Sequence, residues 1–177
     1  ESKKLKVIPL TTHIPLREVS KKINKEILIK KIQIINEELK INFNINKPKI
    51  FVSGLNPHSG DKGEVGREEI DSILPAIKFL QKKGYDVTGP ISSDTLFQKN
   101  LRNIYDVAVC MYHDQALIPI KSLSFNDVVN ITLGIDFIRT SPDHGTALDI
   151  SGKNKANPKS LINAINKAIE LINKKII

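Results

Sequence analysis

The chain has 177 residues, 40% hydrophobic and 26% charged, a balance that suits one globular domain and is too apolar for a disordered segment. No apolar run approaches the roughly 20 residues of a membrane-spanning helix, and a single cysteine, Cys110, excludes an intramolecular disulfide framework and a cysteine-rich zinc module. The net charge of +8 comes from 23 Lys and only 4 Arg, beside 28 Ile and 15 Asn; that mixture is what A/T-rich codons write, the lysines are scattered as pairs, and six Phe, three Tyr and no Trp offer little to stack on bases, so nucleic acid is not an expected partner. The opening ESKKLKVIPL has no apolar signal-peptide core, and a cytoplasmic protein with no membrane partner is expected.

Lys6 to Leu10 reads as a short strand ending in the polar turn Thr11-Thr12-His13. Residues from about Lys21 to Leu39 have the period of an amphipathic helix. Lys49 to Val52 is a buried-type strand, followed by a glycine-rich loop over residues 53–66. A helix is expected from Glu68 to Lys83, with Ile70, Ile73, Leu74, Ile77 and Leu80 on one face and Gly84 as its stop. Val87 to Ile91, Asp106 to Met111, Val128 to Leu133 and Phe137 to Thr140 read as further strands. Pro158 stands near the start of a last helix in which Ile162, Ile165, Ile169, Ile172 and Ile176 recur at three-four spacing. Strands alternating with helices predict an α/β domain with a mainly parallel sheet flanked by helices.

Three of the four histidines share one address. His13, His58 and His113 each lie a few residues beyond the C-terminal end of an apolar strand, the edge where open α/β sheets bind ligands. Three imidazoles at one edge suit a divalent metal with open positions for substrate. Gly54, Asn56, Pro57 and Gly60 shape the loop around His58, and Asp114 is placed to orient an imidazole. The spacings are not those of a local ligand pair, so a histidine bonded to loop backbone remains the alternative for each.

Gly60, Gly63 and Gly66 are spaced G-x-x-G-x-x-G, not the dinucleotide pattern, and Asp61, Glu64, Glu68 and Glu69 would repel a pyrophosphate. A shaped loop leading into an acid-capped helix is the stronger reading. Downstream, Lys121 in an apolar, proline-containing stretch, Asn130, and Arg139 beside Phe137-Ile138 are candidates to hold an anionic substrate, with structural ion pairs as the alternative.

Taken together, TTHIPLREV (11–19), GLNPHSGDKGEVGREEID (54–71), GPISSDTLF (89–97), MYHDQALIPIK (111–121), VNITLGIDFIRTSPDHGTALDISGK (129–153) and ANP (156–158) closely resemble the 4-hydroxythreonine-4-phosphate dehydrogenase family. The resemblance spans about residues 7–172, departing at Ser59, Ala116 and Ser151, and none of these three removes a reacting group. It implies the isocitrate and isopropylmalate dehydrogenase-like fold. It also implies His13, His58 and His113 as metal ligands and Lys121, Asn130 and Arg139 as substrate contacts. His144, Gly145, Ala147, Asp149 and Asn157 would then meet the adenosine part of NAD or NADP. Asp94, in the SDT motif, and Lys121 are the catalytic acid/base candidates.

Members of that family are homodimers with the site at the subunit interface, and they carry a substantial region ahead of the first TTH block. Residues 1–177 are therefore expected to be the metal- and substrate-binding C-terminal portion, with the N-terminal region absent, and not to turn over alone. The implied reaction is NAD-dependent oxidation of 4-phosphohydroxy-L-threonine to 2-amino-3-oxo-4-phosphohydroxybutyrate, which decarboxylates to 3-amino-2-oxopropyl phosphate in pyridoxine 5'-phosphate biosynthesis. Imidazole ligands favour Zn, Co, Mn or Ni over the oxygen-seeking Mg, which stays among the candidate metals. The alternatives are a dehydrogenase for a related phosphorylated sugar acid, threonate or erythronate phosphate, and a non-catalytic metal-binding fragment.

Overall fold

Two short runs with no polar side chain but one serine make the centre of the molecule. Ile50–Ser53 (β2) and Val107–Cys110 (β4) are buried at every residue, as parallel strands covered on both faces must be. The computed structural model describes residues 1–145 and 148–175. Val7–Pro9 (β1) and Val87–Ile91 (β3) complete a four-stranded, wholly parallel sheet in the order β1-β4-β2-β3, with Val7 opposite Ala108 and Ile50 between Val107 and Val87. Pro9 and Pro90 fall on the two edge strands, where a missing N–H costs no ladder bond. A Cβ on Gly89 would stand 2.4 Å from the Val52 carbonyl oxygen, so only glycine lets β3 lie this close to β2.

The helix expected over 21–39 is two helices, Leu16–Lys22 (α1) and Lys25–Phe43 (α2). Asn24 separates them: its side chain accepts a hydrogen bond from the Ile27 N–H at 2.9 Å, the N-cap arrangement that starts a new helix. Leu28, Ile32, Ile35 and Leu39 then face the sheet in the main core. The helix expected from Glu68 begins instead as a wide turn, Glu69–Ile73, in which the Leu74 N–H reaches back five residues to the Glu69 carbonyl. Leu74–Lys82 (α3) follows. The Tyr85 N–H returns to the Leu80 carbonyl at 3.1 Å across Gly84, whose φ is +87°, a helix stop that needs glycine.

Ser93–Leu96 (α4) and Lys99–Arg102 (α5) are single turns. His113–Ser124 (α6) is a helix despite Pro119 in its interior, and this is where the apolar stretch around Lys121 belongs. Val129–Thr132 (β5) and Arg139–Pro142 (β6) do not join the parallel sheet; they form an antiparallel ribbon of their own, with Asn130 opposite Ser141 and Thr132 opposite Arg139. Lys159–Lys175 (α7) lies across this ribbon and against α2. It buries Ala164 and Leu171, seven residues apart, whereas Ile162, Ile165, Ile169 and Ile172 are each about half exposed. The isoleucine repeat thus marks the helix but not its packed face, and Ile176 lies outside the described residues.

Candidate functional site

The carboxyl edge of the sheet gathers the chemistry. β1 and β4 are neighbours, and their pairing continues beyond the strands. Leu10 N–H donates to the Cys110 carbonyl at 2.7 Å, and both the N–H and the hydroxyl of Thr11 donate to the Met111 carbonyl, at 3.2 and 2.8 Å. His13 and His113 follow directly, with ring centres 5.6 Å apart and planes inclined by 44°. His13 holds a left-handed backbone, φ +53°. His113 opens α6, and its Nδ1 lies 2.7 Å from the Asp114 carboxylate. A carboxylate only accepts, so Nδ1 carries the proton and Nε2 keeps a free lone pair.

That pair fits a divalent cation. Two imidazoles bound to one tetrahedral ion through metal–nitrogen bonds of about 2.0–2.1 Å set their ring centres roughly 5–6 Å apart, the separation found. The pair stands on the wall of a cavity of about 540 Å³ together with Thr12, Lys31, Asn130 and Asp143.

His58 is elsewhere. It lines a smaller cavity, about 310 Å³, with Asn56, Ser92, Asp94, Tyr112 and Gln115. The expected three-histidine cluster is therefore not assembled within the chain: among the described residues no three His, Cys, Asp or Glu side chains converge as a metal site. The reason lies in the loop after β2. His58, Ser59, Gly60, Asp61 and Lys62 all have left-handed backbone, φ between +42° and +79°, and the loop packs toward β3 and α4. Left-handed turns cost L-residues about 1–2 kcal/mol each, so something must hold this one.

Two residues do so: Gln115, given no role in the sequence reading, and Glu69, read there only as one of the acids that would repel a pyrophosphate. Glu69, only 3% exposed, accepts hydrogen bonds from the Leu55 and Asn56 N–H groups, each 2.7 Å, and from Asn56 Nδ2 at 2.9 Å. Gln115, also buried, has four partners: its Oε1 accepts from Ser53 Oγ and the Met111 N–H, and its Nε2 donates to the Gly54 carbonyl and Ser93 Oγ. It thereby ties the ends of β2 and β4 to the turn bearing Asp94. Asp94 itself accepts from Ser92 Oγ at 2.6 Å and shares the His58 cavity rather than that of the His13–His113 pair.

The expected substrate residues divide. Asn130, on β5, reaches the larger cavity and donates to Ser141 Oγ at 3.3 Å. Lys121, on α6, is engaged by Asp143, with Nζ 3.2 Å from its carboxylate and 3.3 Å from its carbonyl oxygen, so it meets the cavity only through Asp143. Arg139, exposed on β6, donates to Thr132 Oγ1 across the ribbon at 2.8 Å and stands on neither cavity wall.

Of the expected cofactor residues, His144, Gly145, Asp149 and Asn157 are exposed and lie before α7. His144 Nδ1 is 3.0 Å from the Gly145 carbonyl, the Asp149 carbonyl accepts from Lys153 Nζ at 2.6 Å, and Asn157 Oδ1 accepts from the Lys159 N–H at 3.0 Å, capping α7. Ala147 is outside the described residues.

Residues 1–168 match the family described as pyridoxal phosphate biosynthetic protein PdxA. The chain is 53% identical over 164 residues to a 4-hydroxythreonine-4-phosphate dehydrogenase of Bradyrhizobium diazoefficiens, covering 93% of this chain and 48% of that protein. It is 55% identical over 169 residues to one of Sulfurihydrogenibium sp., covering 96% and 52%. The crystal structure of a 4-hydroxythreonine-4-phosphate dehydrogenase from Klebsiella pneumoniae superposes with a TM-score of 0.88 at 43% identity, over 97% of this chain and 51% of that one. The chain spans about half the length of these relatives.

Proposed function

This chain belongs to the pyridoxal phosphate biosynthetic protein PdxA family, and we propose that it carries the metal- and substrate-binding part of a 4-hydroxythreonine-4-phosphate dehydrogenase. In this reading the secondary alcohol of 4-phosphohydroxy-L-threonine would be oxidised, NAD or NADP supplying the hydride acceptor when bound, and the resulting β-keto acid would lose carbon dioxide. The observation that carries it is the His13–His113 pair, 5.6 Å between ring centres, at the carboxyl edge of a parallel sheet.

In this proposal His13 and His113 hold a divalent cation of the Zn, Co, Mn or Mg group. When bound, such an ion supplies the positive charge that favours loss of the hydroxyl proton and, later, of carbon dioxide. Asp114 holds the His113 tautomer by accepting from Nδ1. Asn130 offers the substrate an amide in the same cavity, and Lys121 answers its anionic groups on release from Asp143. Arg139 adds a guanidinium from the ribbon, and the 144–157 segment meets the adenosine of the cofactor.

His58 and Asp94 belong to the second cavity, and in this reading they complete the centre of a second copy in a homodimer. His58 is exposed, as a donor to a neighbouring subunit must be. The test is NADH formation from 4-phosphohydroxy-L-threonine in a polypeptide of the relatives' full length, before and after chelation. Activity that survives both chelation and His113→Ala would sink the reading. Turnover that favours threonate or erythronate phosphate would reassign the substrate.

A further inference from the structure

We propose that Glu69 is a positioning residue for His58, its buried carboxylate holding the left-handed loop that presents the imidazole. The proposal rests on the reading of His58 as a metal ligand. Glu69 is 3% exposed and, among the described residues, forms no ion pair with a Lys or Arg. A carboxylate is retained under such burial only when hydrogen bonds replace its water. All three that it accepts come from Leu55 and Asn56, the two residues that precede Pro57-His58.

The loop is fitted to that carboxylate. A Cβ on Gly60 would lie 2.7 Å from Glu69 Oε2, and one on Gly66 would lie 2.4 Å from Asn56 Nδ2. The loop therefore enters on bonds from Leu55 and Asn56, folds over Glu69 at Gly60, and closes over Asn56 at Gly66. The wide turn at the start of α3, where Leu74 N–H bonds the Glu69 carbonyl five residues back, sets Glu69 on the inner side of the loop. The left-handed stretch begins at His58 itself. His58 is also the one imidazole of the loop, so what the brace positions is that ring.

The test compares Glu69→Gln, Asn56→Ala and His58→Ala with the parent chain by amide hydrogen exchange and by titration with Zn²⁺ alone. Glutamine keeps the size of Glu69 but turns one acceptor into an N–H facing donors. Exchange over residues 55–62 is expected to quicken at least tenfold in Glu69→Gln, with β2 and β4 unchanged. Zn²⁺ affinity should fall about 10–100-fold, the usual effect of losing a group that orients a ligand. Asn56→Ala removes the Nδ2 bonds to Glu69 and to Glu68 while both backbone bonds to Glu69 stay; it should show the same pattern in smaller measure, which keeps the test open if Glu69→Gln fails to fold.

If His58→Ala weakens Zn²⁺ binding while Glu69→Gln and Asn56→Ala leave both binding and loop exchange at parental values, the positioning role is overturned. If His58→Ala leaves Zn²⁺ affinity unchanged, the ligand reading of His58 is what falls. Loop exchange in the other two variants then still decides whether Glu69 holds the loop.

Discussion

His113 Nδ1 and the Asp114 carboxylate lie 2.7 Å apart, although the two residues are adjacent in sequence and both stand at the first turn of α6. The contact leaves Nε2 as the nitrogen free to bind a cation, and the His13 ring centre is 5.6 Å from that of His113. Removing the carboxylate frees the imidazole to rotate and to change tautomer. Asp114→Ala is expected to lower Zn²⁺ or Co²⁺ affinity about 10–100-fold, and His113→Ala to lower it further. Titration with the metal alone reads both; equal affinity for Asp114→Ala and the parent would remove Asp114 from the site.

Gln115 bridges three segments that carry site residues, and each of its bonds is buried or half-buried. Gln115→Leu keeps most of the volume and strands the Met111 N–H and the Ser53 hydroxyl. Each orphaned buried donor costs about 1–3 kcal/mol, so the variant should lose several kcal/mol of stability. Gln115→Glu keeps an acceptor for Met111 and Ser53 but sets a buried carboxylate oxygen against the Gly54 carbonyl, so its loss should be the larger of the two. Denaturant midpoints rank the two.

What could be read in advance follows the physics of each element. β2 and β4 are short apolar runs, and burial on both faces leaves such a run few alternatives, so their positions and the strand-end address of His13, His58 and His113 were legible. Convergence of the three was not. It depends on the direction taken by the loop after β2, and that is set by Glu69, an acid separated by fifteen residues from the end of the strand. A signal for Glu69 did exist: it stands in phase with buried Ile73, Ala76, Ile77 and Leu80, an acid on an apolar stripe. Assigning the stripe to Ile70, which is 38% exposed, concealed it, because the wide turn at Glu69–Ile73 shifts the helical phase. The ion pair of Lys121 with Asp143 joins α6 to the segment after β6, a contact that no spacing in the chain encodes.

The same loss of phase information separates the two faces of α7 and gives a stability test. Leu171 is 1% exposed in the main core, so Leu171→Ala should cost about 2–5 kcal/mol. Ile165 and Ile169 are each 51% exposed, and alanine at either should cost less than about 1 kcal/mol. Thermal or denaturant unfolding separates these values. A loss at Ile165 as large as that at Leu171 would mean that α7 packs through its isoleucine face.

Cys110 sits at the end of β4 with no exposed surface, and burial pushes its thiol well above the ordinary 9.0. Burial also raises the Tyr105 phenol above its ordinary 10.0. The direction of the pH effect follows. Above about pH 9 the unfolded chain releases the Cys110 proton and the folded chain keeps it. The native state then binds more protons, and stability falls as pH rises. Lys31 acts in the opposite sense, because burial lowers its pKa below 10.5 and the native chain sheds that proton first. The Cys110 contribution is therefore isolated as a difference: relative to Cys110→Ala, the parent should lose stability progressively from pH 9 upward and run parallel to it below pH 8. The same burial predicts that an alkylating reagent labels Cys110 only as fast as the protein unfolds. Labelling at the rate of a free thiol in the native state would show that β4 is not the closed centre of the sheet.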